Sequence, residues 1–177
     1  MAIDMKVEIA EAARKLLMEK KVKKLTVKDI VDECHITRQA FYYHFEDIPD
    51  MFRWVLEKGA QLIREAGLGK DGEERLRYFM LMAINALPRV KKSIQTNYGD
   101  EIVRILTQQV YDLFEQTVEE NNLYQQCSRL ELKFILRYHS QAIMGILANW
   151  TEEDTKNLDK IVHQIYFIMT EGVSPFS

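Results

Sequence analysis

The sequence predicts an all-α protein of about nine helices, and three observations lead to this prediction. Apolar residues recur with the 3.6-residue period of a helix along most of the 177-residue chain. No segment shows the two-residue alternation of a β-strand, and there is no internal repeat. At three of the predicted helix starts a Ser or Thr is followed three positions later by Asp or Glu, a pattern typical of helix starts.

The first four helices are predicted from their start signals. Asp4, Thr26 and Thr37 are good N-cap residues, and proline is favoured at the first position of a helix. The predicted starts are Asp4 for the first helix, Thr26 for a short second helix, Thr37 for a third helix over Arg38–Phe45, and Pro49 for a fourth that ends at the glycine-rich segment 67–72.

Five further helices follow, with boundaries that sequence patterns locate only to within several residues. They are predicted over 73–87, from Pro88 onward, over 100–121, from the Ser128–Glu131 capping box to Trp150, and from the Thr151–Asp154 capping box to about Thr170.

The first three helices have the order and lengths of a helix-turn-helix unit, in which the third helix enters the DNA major groove. On a helical wheel Phe41 and Phe45 share an inward face, with Gln39 and Tyr43 opposite. This leaves an outward face free for a partner.

The residue types at the start of the third helix suit base recognition. Arg38 has the donors to read guanine, Gln39 can read adenine, and the methyl group of Ala40 can contact thymine. Thr37 at the helix start and the hydroxyls of Tyr42 and Tyr43 suit phosphate oxygens. In the alternative interpretation both tyrosines are half-buried packing residues.

Charge alone does not indicate DNA binding. The net charge is −3, and residues 1–48 hold equal numbers of basic and acidic side chains. Five lysines cluster over residues 20–28, which is also what a solvated helix end and loop would show.

Two segments together resemble the TetR family DNA-binding signature: Leu25-Thr26-Val27-Lys28-Asp29-Ile30-Val31 and Ile36-Thr37-Arg38-Gln39-Ala40-Phe41-Tyr42-Tyr43-His44-Phe45. The resemblance covers roughly the first 55 residues. It implies backbone contacts to DNA from Thr26, Lys28, Thr37, Tyr42, Tyr43 and His44, and base contacts from Arg38, Gln39 and Ala40.

Three positions depart from this family pattern. His35 stands in the turn where the family usually has glycine, and a positive φ is harder for His than for Gly. Gln39 replaces a residue that is usually small. The segment 46–50 is acidic where lysines are frequent, so we expect modest, salt-sensitive DNA affinity.

The run from Arg38 to Ile48, with Trp54 and residues 145–150, is also similar to a TetR-like subgroup that contains dihydroxyacetone-kinase-operon and metal-responsive regulators. This match is scattered over the chain and transfers no ligand.

The last two predicted helices resemble in position the pair through which TetR-type proteins dimerise. Each has an apolar stripe: Leu132, Ile135, Leu136, Ile143, Ile146, Leu147 and Trp150 on one, and Leu158, Ile161, Val162, Ile165, Ile168 and Met169 on the other. Gly145 would permit close helix approach. The stripes would also suit an intrachain core. A homodimer is expected because one small head reads only half of a palindromic operator.

A small-molecule effector is expected to bind in the body. The candidate lining residues are Phe79, Met80, Met82, Tyr98, Tyr111, Phe114, Tyr138 and Met144. Core packing explains each of them equally well.

The remaining patterns argue against other classes. Cys34 and Cys127 lie far apart, which fits a reducing cytoplasm and no disulfide framework. The longest uncharged stretch, 138–151, is shorter than the roughly 18 residues of a membrane span. No metal-ligand spacing, phosphate loop or nucleophile motif is present, so we expect no cofactor, no metal and no enzyme activity.

We therefore expect a helix-turn-helix DNA-binding domain at 1–48 and a helical ligand-binding and dimerisation domain at 49–177. The expected function is a TetR-type, ligand-responsive repressor that binds operator DNA as a dimer in the cytoplasm. The alternative is a coactivator or adaptor module whose body binds a partner protein.

Overall fold

A computed structural model describes residues 4–67 and 69–171, and the regular secondary structure of these residues is all α-helical. Nine helices are present in it, which confirms the predicted fold class. They are α1 (Met5–Met18), α2 (Val27–Cys34), α3 (Arg38–His44), α4 (Ile48–Gly67), α5 (Gly72–Ile94), α6 (Gly99–Glu120), α7 (Arg129–Ala148), α8 (Glu152–Lys156) and α9 (Leu158–Glu171).

The predicted capping signals are present at the helix starts. Asp4 accepts a hydrogen bond from the Lys6 N–H at 3.1 Å. In the α2 capping box the Thr26 N–H donates to Asp29 Oδ2 at 3.0 Å, and the Asp29 N–H donates to Thr26 Oγ1 at 3.2 Å. Reciprocal boxes also begin α7 and α8. These caps satisfy N–H groups that have no partner inside the helix.

His35 ends α2 in the left-handed conformation, with φ 55° and ψ 41°. The Ile36 N–H reaches back to the Val31 carbonyl at 3.0 Å, which closes the helix end. The chain thus has a histidine in a conformation that favours glycine, at the position where the TetR-like pattern usually has glycine.

Replacing His35 with glycine is therefore expected to stabilise the protein by about 0.5–1 kcal/mol. A side chain in this region costs roughly 1–2 kcal/mol, of which the greater freedom of unfolded glycine offsets a part. Urea unfolding followed by circular dichroism measures the change. Glu19→Gly is the matched control, because Glu19 ends α1 in the right-handed region and glycine should destabilise there. An unchanged or lower stability of His35→Gly would contradict the prediction.

The prediction that one helix ends at Leu87 and another begins near Pro88 is wrong. Pro88 lies inside a continuous α5. A proline removes one backbone hydrogen bond, to the carbonyl four residues before it, but its φ is compatible with a helix. Pro88 is exposed, so water can hydrate the carbonyl that loses its partner.

The prediction of one helix from Thr151 to about Thr170 is also wrong, because this segment forms two helices. α8 ends at Asn157, whose backbone N–H bonds to the carbonyls of both Glu153 and Asp154. The Asn157 side chain donates to the Glu153 carbonyl at 2.9 Å. Asparagine side chains compete in this way with the helical ladder, and α9 then restarts at Leu158.

The chain divides into two compact units. One combines residues up to 59 with residues 86–106, and the other combines residues 60–85 with those from 107 onward. This is a division by packing. The functional division after residue 48 stays a prediction.

The first unit has a core built mainly by α1–α3 and the start of α4. Its most deeply buried side chains belong to all of these elements: Ile9, Leu25, Ile30, Phe41, Ile48 and Met51. Ile102 on α6 is 2% exposed and belongs to the same core, with Ile94, Tyr98 and Leu106 packed against it. The helix-turn-helix segment therefore shares its core with residues from much later in the chain.

The second unit has its own core, formed by the inward faces of its helices. Its buried residues include Leu76, Phe79, Met80, Phe114, Leu136, Ile143, Leu147 and Val162. Ser140 is the buried polar residue of α7, and its hydroxyl donates to the Leu136 carbonyl at 2.7 Å. This bond satisfies a hydroxyl that would be costly to bury alone.

None of the helices in residues 4–67 and 69–171 combines the length and the apolar character needed to cross a membrane.

Candidate nucleic-acid interface

The third helix is held in the first unit by one aromatic face. Phe41 is completely buried and Phe45 is 2% exposed, with their ring centroids 6.0 Å apart. The Phe45 ring also packs edge-on against Trp54 at 5.8 Å. At its N-terminus, the Ala40 N–H donates to Thr37 Oγ1 at 3.1 Å. Anchoring on this face leaves the other side of a seven-residue helix outside the core.

The outward side of α3 presents Arg38, Gln39, Tyr42 and Tyr43 to solvent. Tyr42 is 56% exposed and Tyr43 is 84% exposed. The alternative interpretation, in which both tyrosines are half-buried packing residues, is therefore wrong. Large aromatic side chains seldom remain this exposed in pairs without a partner that covers them.

Thr26 and Thr37, the two threonines predicted to contact DNA, differ in whether their hydroxyl proton is free to donate. Thr26 Oγ1 donates to Asp29 Oδ2 at 2.6 Å, so its proton is already used inside the capping box. Thr37 Oγ1 only accepts, from the Ala40 N–H, so its proton is available for an acceptor outside the chain. A phosphate oxygen beside Thr37 would find this donor at a helix N-terminus.

The other residues predicted to contact DNA lie on α2 and α3. Lys28 is exposed on α2. Ala40 and His44 are half-buried on α3, and the His44 ring packs edge-on against Tyr43 with centroids 5.0 Å apart. A half-buried Ala40 can still offer its methyl group at the edge of the exposed face. Contact of all these residues with DNA stays a prediction.

The lysine cluster is only partly neutralised within the chain. Lys20 forms an ion pair with Glu33. Lys21, Lys23 and Lys24 are exposed and form no ion pair with the described residues. These three side chains therefore keep their charge available for an anionic partner.

The acidic segment after α3 has a structural role at the start of α4. The Asp50 N–H donates to Asp47 Oδ1 at 2.7 Å, and the Glu46 N–H donates to Asp50 Oδ2 at 3.2 Å. Carboxylates are favoured at a helix N-terminus because they accept from its unpaired N–H groups and oppose its dipole. Capping thus explains acids at positions where the family pattern often has lysines.

Glu33 joins α1 to α2 through two lysines. Its carboxylate pairs with Lys15 Nζ at 2.7 Å and with Lys20 Nζ, and only 10% of its side chain is exposed. Hydrogen bonds from Lys15 and Lys20 lower the pKa of Glu33 to about 2. An ionised carboxylate therefore joins α1 and its C-terminal end to α2.

Glu33→Gln is expected to lower the unfolding temperature at pH 7 by a few degrees. A depressed pKa means that the charged form stabilises the folded state above the unfolded pKa of about 4.3, and that this contribution is lost as pH falls toward 2. Thermal unfolding of both proteins should show a difference that is constant above about pH 5 and vanishes by about pH 2. A difference that persists at the acid end would contradict this assignment. Glu57→Gln, at an exposed position on α4 without an ion pair to the described residues, provides a control carboxylate.

Sequence patterns did not identify Asn97 as part of this region. Its Oδ1 accepts a hydrogen bond from the Leu25 N–H at 2.9 Å, just before the Thr26 cap of α2. The next residue, Tyr98, packs against Phe52 with ring centroids 6.4 Å apart. The segment between α5 and α6 thus holds the start of α2 in place.

The predicted effector residues are not gathered in one place. Phe79 and Phe114 line a cavity of about 110 Å³ in the second unit. Tyr111 lines a separate surface groove with Leu130 and Phe134, and Tyr98 belongs to the first unit. The other predicted positions do not line the cavity: Met80 is fully buried, Met82 and Tyr138 are exposed, and Met144 is half-buried.

The cavity includes polar residues that apolar periodicity did not point to. Arg64, Arg75, Thr117, Tyr124 and Tyr166 contribute to its lining. Burial raises the pKa of Tyr124, whose hydroxyl donates to the Met169 carbonyl. Among the described residues no group of three or more His, Cys, Asp and Glu side chains is placed to hold a metal ion.

A protein-family model matches the head of the chain. Residues 9–54 match the family described as bacterial regulatory proteins, tetR family. The matched segment runs from α1 through α3 into the first turns of α4. A curated relative, the probable acrEF/envCD operon repressor of Escherichia coli strain K12, is 25% identical over 171 residues, covering 84% of this chain and 77% of the relative.

Solved structures resemble the fold over nearly the whole length. The dihydroxyacetone kinase operon activator DhaS has a TM-score of 0.63 at 21% identity, with 99% of both chains covered. The TetR family repressor FadR of Thermus thermophilus, solved with lauroyl-CoA, has a TM-score of 0.54 at 17% identity, covering 97% of this chain and 96% of that one. Residues 9–54 thus match the N-terminal domain of the tetR family, and the described part of the chain has an all-helical fold similar to that of these solved structures.

Proposed function

We propose that this protein binds a palindromic operator as a homodimer and represses transcription until a small-molecule effector releases it. The exposed face of α3 carries the proposal, because Phe41 and Phe45 anchor the helix while its polar and tyrosine side chains have no cover. In this proposal Lys28, Thr37, Tyr42, Tyr43 and His44 contact the DNA backbone, and Arg38, Gln39 and Ala40 face bases. Thr26, whose hydroxyl proton is used in the capping box, would donate to a phosphate only by releasing Asp29.

Fluorescence anisotropy with labelled DNA tests the proposal. Fragments from upstream of the encoding gene are titrated with protein at low ionic strength, with a scrambled duplex of equal length as the control. Specific binding should weaken as the salt concentration rises. For each phosphate contact, the logarithm of the binding constant should fall by about 0.9 per unit of the logarithm of salt concentration. Failure to bind any upstream fragment better than the scrambled duplex would overturn the proposal.

A homodimer is proposed through α7 and α9. Leu130, Phe134 and Tyr138 follow one another at four-residue spacing along α7 and are 79%, 60% and 59% exposed. Phe167 and Ile168 are exposed on α9. Residues four apart share one face of a helix, so the α7 residues form an apolar strip that a second copy would cover. Gly145 on α7 has no atom within 4 Å of the place of a Cβ, which leaves room for close approach.

Phe134→Arg is expected to weaken the dimer by roughly 100-fold or more. Two-fold symmetry places the change twice in one interface, and two buried unpaired cations are costly. Sedimentation velocity over a concentration series measures the monomer fraction. Leu62→Arg, at an exposed apolar position on α4, should leave the dimer intact. If Phe134→Arg sediments as the wild type does, the dimer does not use this face.

The proposed effector site lies in the second unit, and α4 contributes residues to both units. A ligand that changes the conformation of α4 would change how the two α3 helices of a dimer fit successive major grooves. We therefore expect the anisotropy experiment to show weaker DNA binding when the effector is present.

Three finer assignments accompany this proposal. The subgroup with dihydroxyacetone-kinase-operon and metal-responsive regulators rests on the Arg38–Ile48 run. A functional boundary after residue 48 rests on the end of the recognition helix. Location in the cytoplasm rests on the unpaired thiols of Cys34 and Cys127. The acidic segment 46–50 and the balanced charge of residues 1–48 would also suit the alternative adaptor function, but the role of the acids in capping α4 supplies another reason for them.

A further inference from the structure

The cavity of the second unit has the dimensions of a small-molecule site. Its volume is about 110 Å³, and apolar cavities of similar size hold a molecule as large as benzene. Most of its wall is apolar: Ile63, Leu76, Phe79, Phe114, Val118, Leu123 and Met169. A ligand of this volume has roughly one ring or a short branched chain as its body.

Arg75 gives this cavity an unsatisfied donor. Its two terminal nitrogens are engaged, one with Glu120 Oε2 at 3.0 Å and the other with Asn121 Oδ1 at 3.0 Å. Its Nε is buried and meets no hydrogen-bond acceptor of the described residues. A buried N–H without an acceptor is unfavourable, so a ligand that supplies an acceptor gains from meeting it.

A second polar group of the cavity lining lies beside Gly72. The Tyr166 hydroxyl occupies the space beside Gly72, where a Cβ would approach it to 2.7 Å. Gly72 begins α5 and Arg75 lies in the first turn of this helix. The absence of a side chain at Gly72 therefore leaves room for the Tyr166 hydroxyl at the start of the helix that carries Arg75.

The charges of the lining residues indicate which ligand charge the cavity favours. Arg64 and Arg75 are cations and Glu120 is an anion. Glu120 pairs with Arg75, whereas Arg64 forms no ion pair with the described residues. One positive charge at the cavity is thus uncompensated, which favours a monoanion over a neutral or cationic ligand of the same shape.

We propose that this cavity binds a small apolar monocarboxylate, with its carboxylate accepting from Arg75 Nε and the Tyr166 hydroxyl. A carboxylate meets both the missing acceptor and the excess charge, and the apolar wall receives its body. The ligand assignment itself does not depend on the proposed function. Only the further step, in which this carboxylate is the effector that releases the DNA, rests on it.

Isothermal titration calorimetry on the full chain tests the assignment with three probes of nearly equal size. Benzoate is anionic, benzyl alcohol is neutral and benzylamine is cationic at pH 7.5. We expect benzoate to bind at least about 10-fold more tightly than either of the others, which corresponds to one charge-assisted hydrogen bond. Equal affinity for benzoate and benzyl alcohol would overturn the proposal.

Matched variants locate the site. Arg75→Met should weaken benzoate binding by at least about 10-fold while benzyl alcohol changes less, since it removes the donor and keeps the apolar stem. Arg77→Met is the control, because Arg77 lies on the same helix as Arg75, pairs with Asp159 of α9 and does not line the cavity. Tyr166→Phe is a second variant, which removes the hydroxyl and retains the ring, and it should also reduce benzoate affinity. It provides the test if Arg75→Met does not fold. Unchanged benzoate affinity in the folded variants would overturn the proposal.

The calorimetry requires no DNA, so the two proposals fail separately. A protein that prefers benzoate but binds no upstream fragment overturns the regulatory function and leaves the ligand site standing. A protein that binds the operator but does not distinguish benzoate from benzyl alcohol overturns the ligand assignment alone.

Discussion

Tyr43→Ala is expected to weaken operator binding by roughly 100-fold while leaving the unfolding free energy within about 0.5 kcal/mol of the wild type. Tyr43 is 84% exposed, and surface substitutions away from packed or capping positions seldom change stability by more than this. In the DNA complex each copy would lose a hydrogen bond worth about 1–1.5 kcal/mol, and a dimer contains two copies.

Anisotropy titrations at constant salt measure the loss, and urea unfolding measures the stability. Tyr43→Phe separates the hydroxyl from the ring, because it should lose most of the binding if the hydroxyl donates to a phosphate. Met82→Ala, at an exposed position in the second unit, serves as the control for general effects of truncation. Wild-type affinity in Tyr43→Ala would show that α3 does not present this residue to DNA.

Phe41→Ala is expected to have the largest effect on stability, a loss of about 3–5 kcal/mol. Phe41 is completely buried and contacts the rings of Tyr42 and Phe45, at centroid distances of 5.5 Å and 6.0 Å. Its removal leaves a cavity in the core that positions α3. Because globular domains are stable by only about 5–15 kcal/mol, the head should be substantially unfolded at moderate temperature.

Hydrogen exchange measured by mass spectrometry locates this effect. Peptides from α1 to α3 should lose protection in Phe41→Ala, whereas Phe41→Leu should lose less than half as much stability because it leaves a smaller cavity. A destabilisation of less than 1 kcal/mol would contradict the packing described for Phe41. Together, Phe41 and Tyr43 form an internal comparison: of two aromatic residues within one turn of α3, we expect one to be needed for the fold and the other for DNA binding.

The sequence alone was sufficient to predict features that depend on residues within one helical turn of each other. The Thr26–Asp29, Ser128–Glu131 and Thr151–Asp154 capping boxes need only a three-residue spacing, and all three are present. The opposite faces of α3 followed in the same way from the helical period, which predicted Phe41 inside and Tyr43 outside. Local geometry fixes these features regardless of what the rest of the chain does.

Local signals that have two possible outcomes were harder to interpret. Pro88 ends many helices, but here an exposed position lets α5 continue through it. Asn157 gave no strong signal, yet its side chain and the backbone bonds at Glu153 separate α8 from α9. In both cases the outcome depends on solvent exposure and competing hydrogen bonds, which a linear pattern does not contain.

Tertiary structure decided the features that join distant residues. The Leu25 N–H finds its acceptor on Asn97, 72 positions later, and Arg75 meets Glu120 across 45 positions. No period or spacing in one sequence relates such residues, because their approach results from how whole helices pack. The sequence by itself therefore determined which helices form and which face of α3 is exposed, whereas packing decided what holds the head in place and which side chains line the cavity.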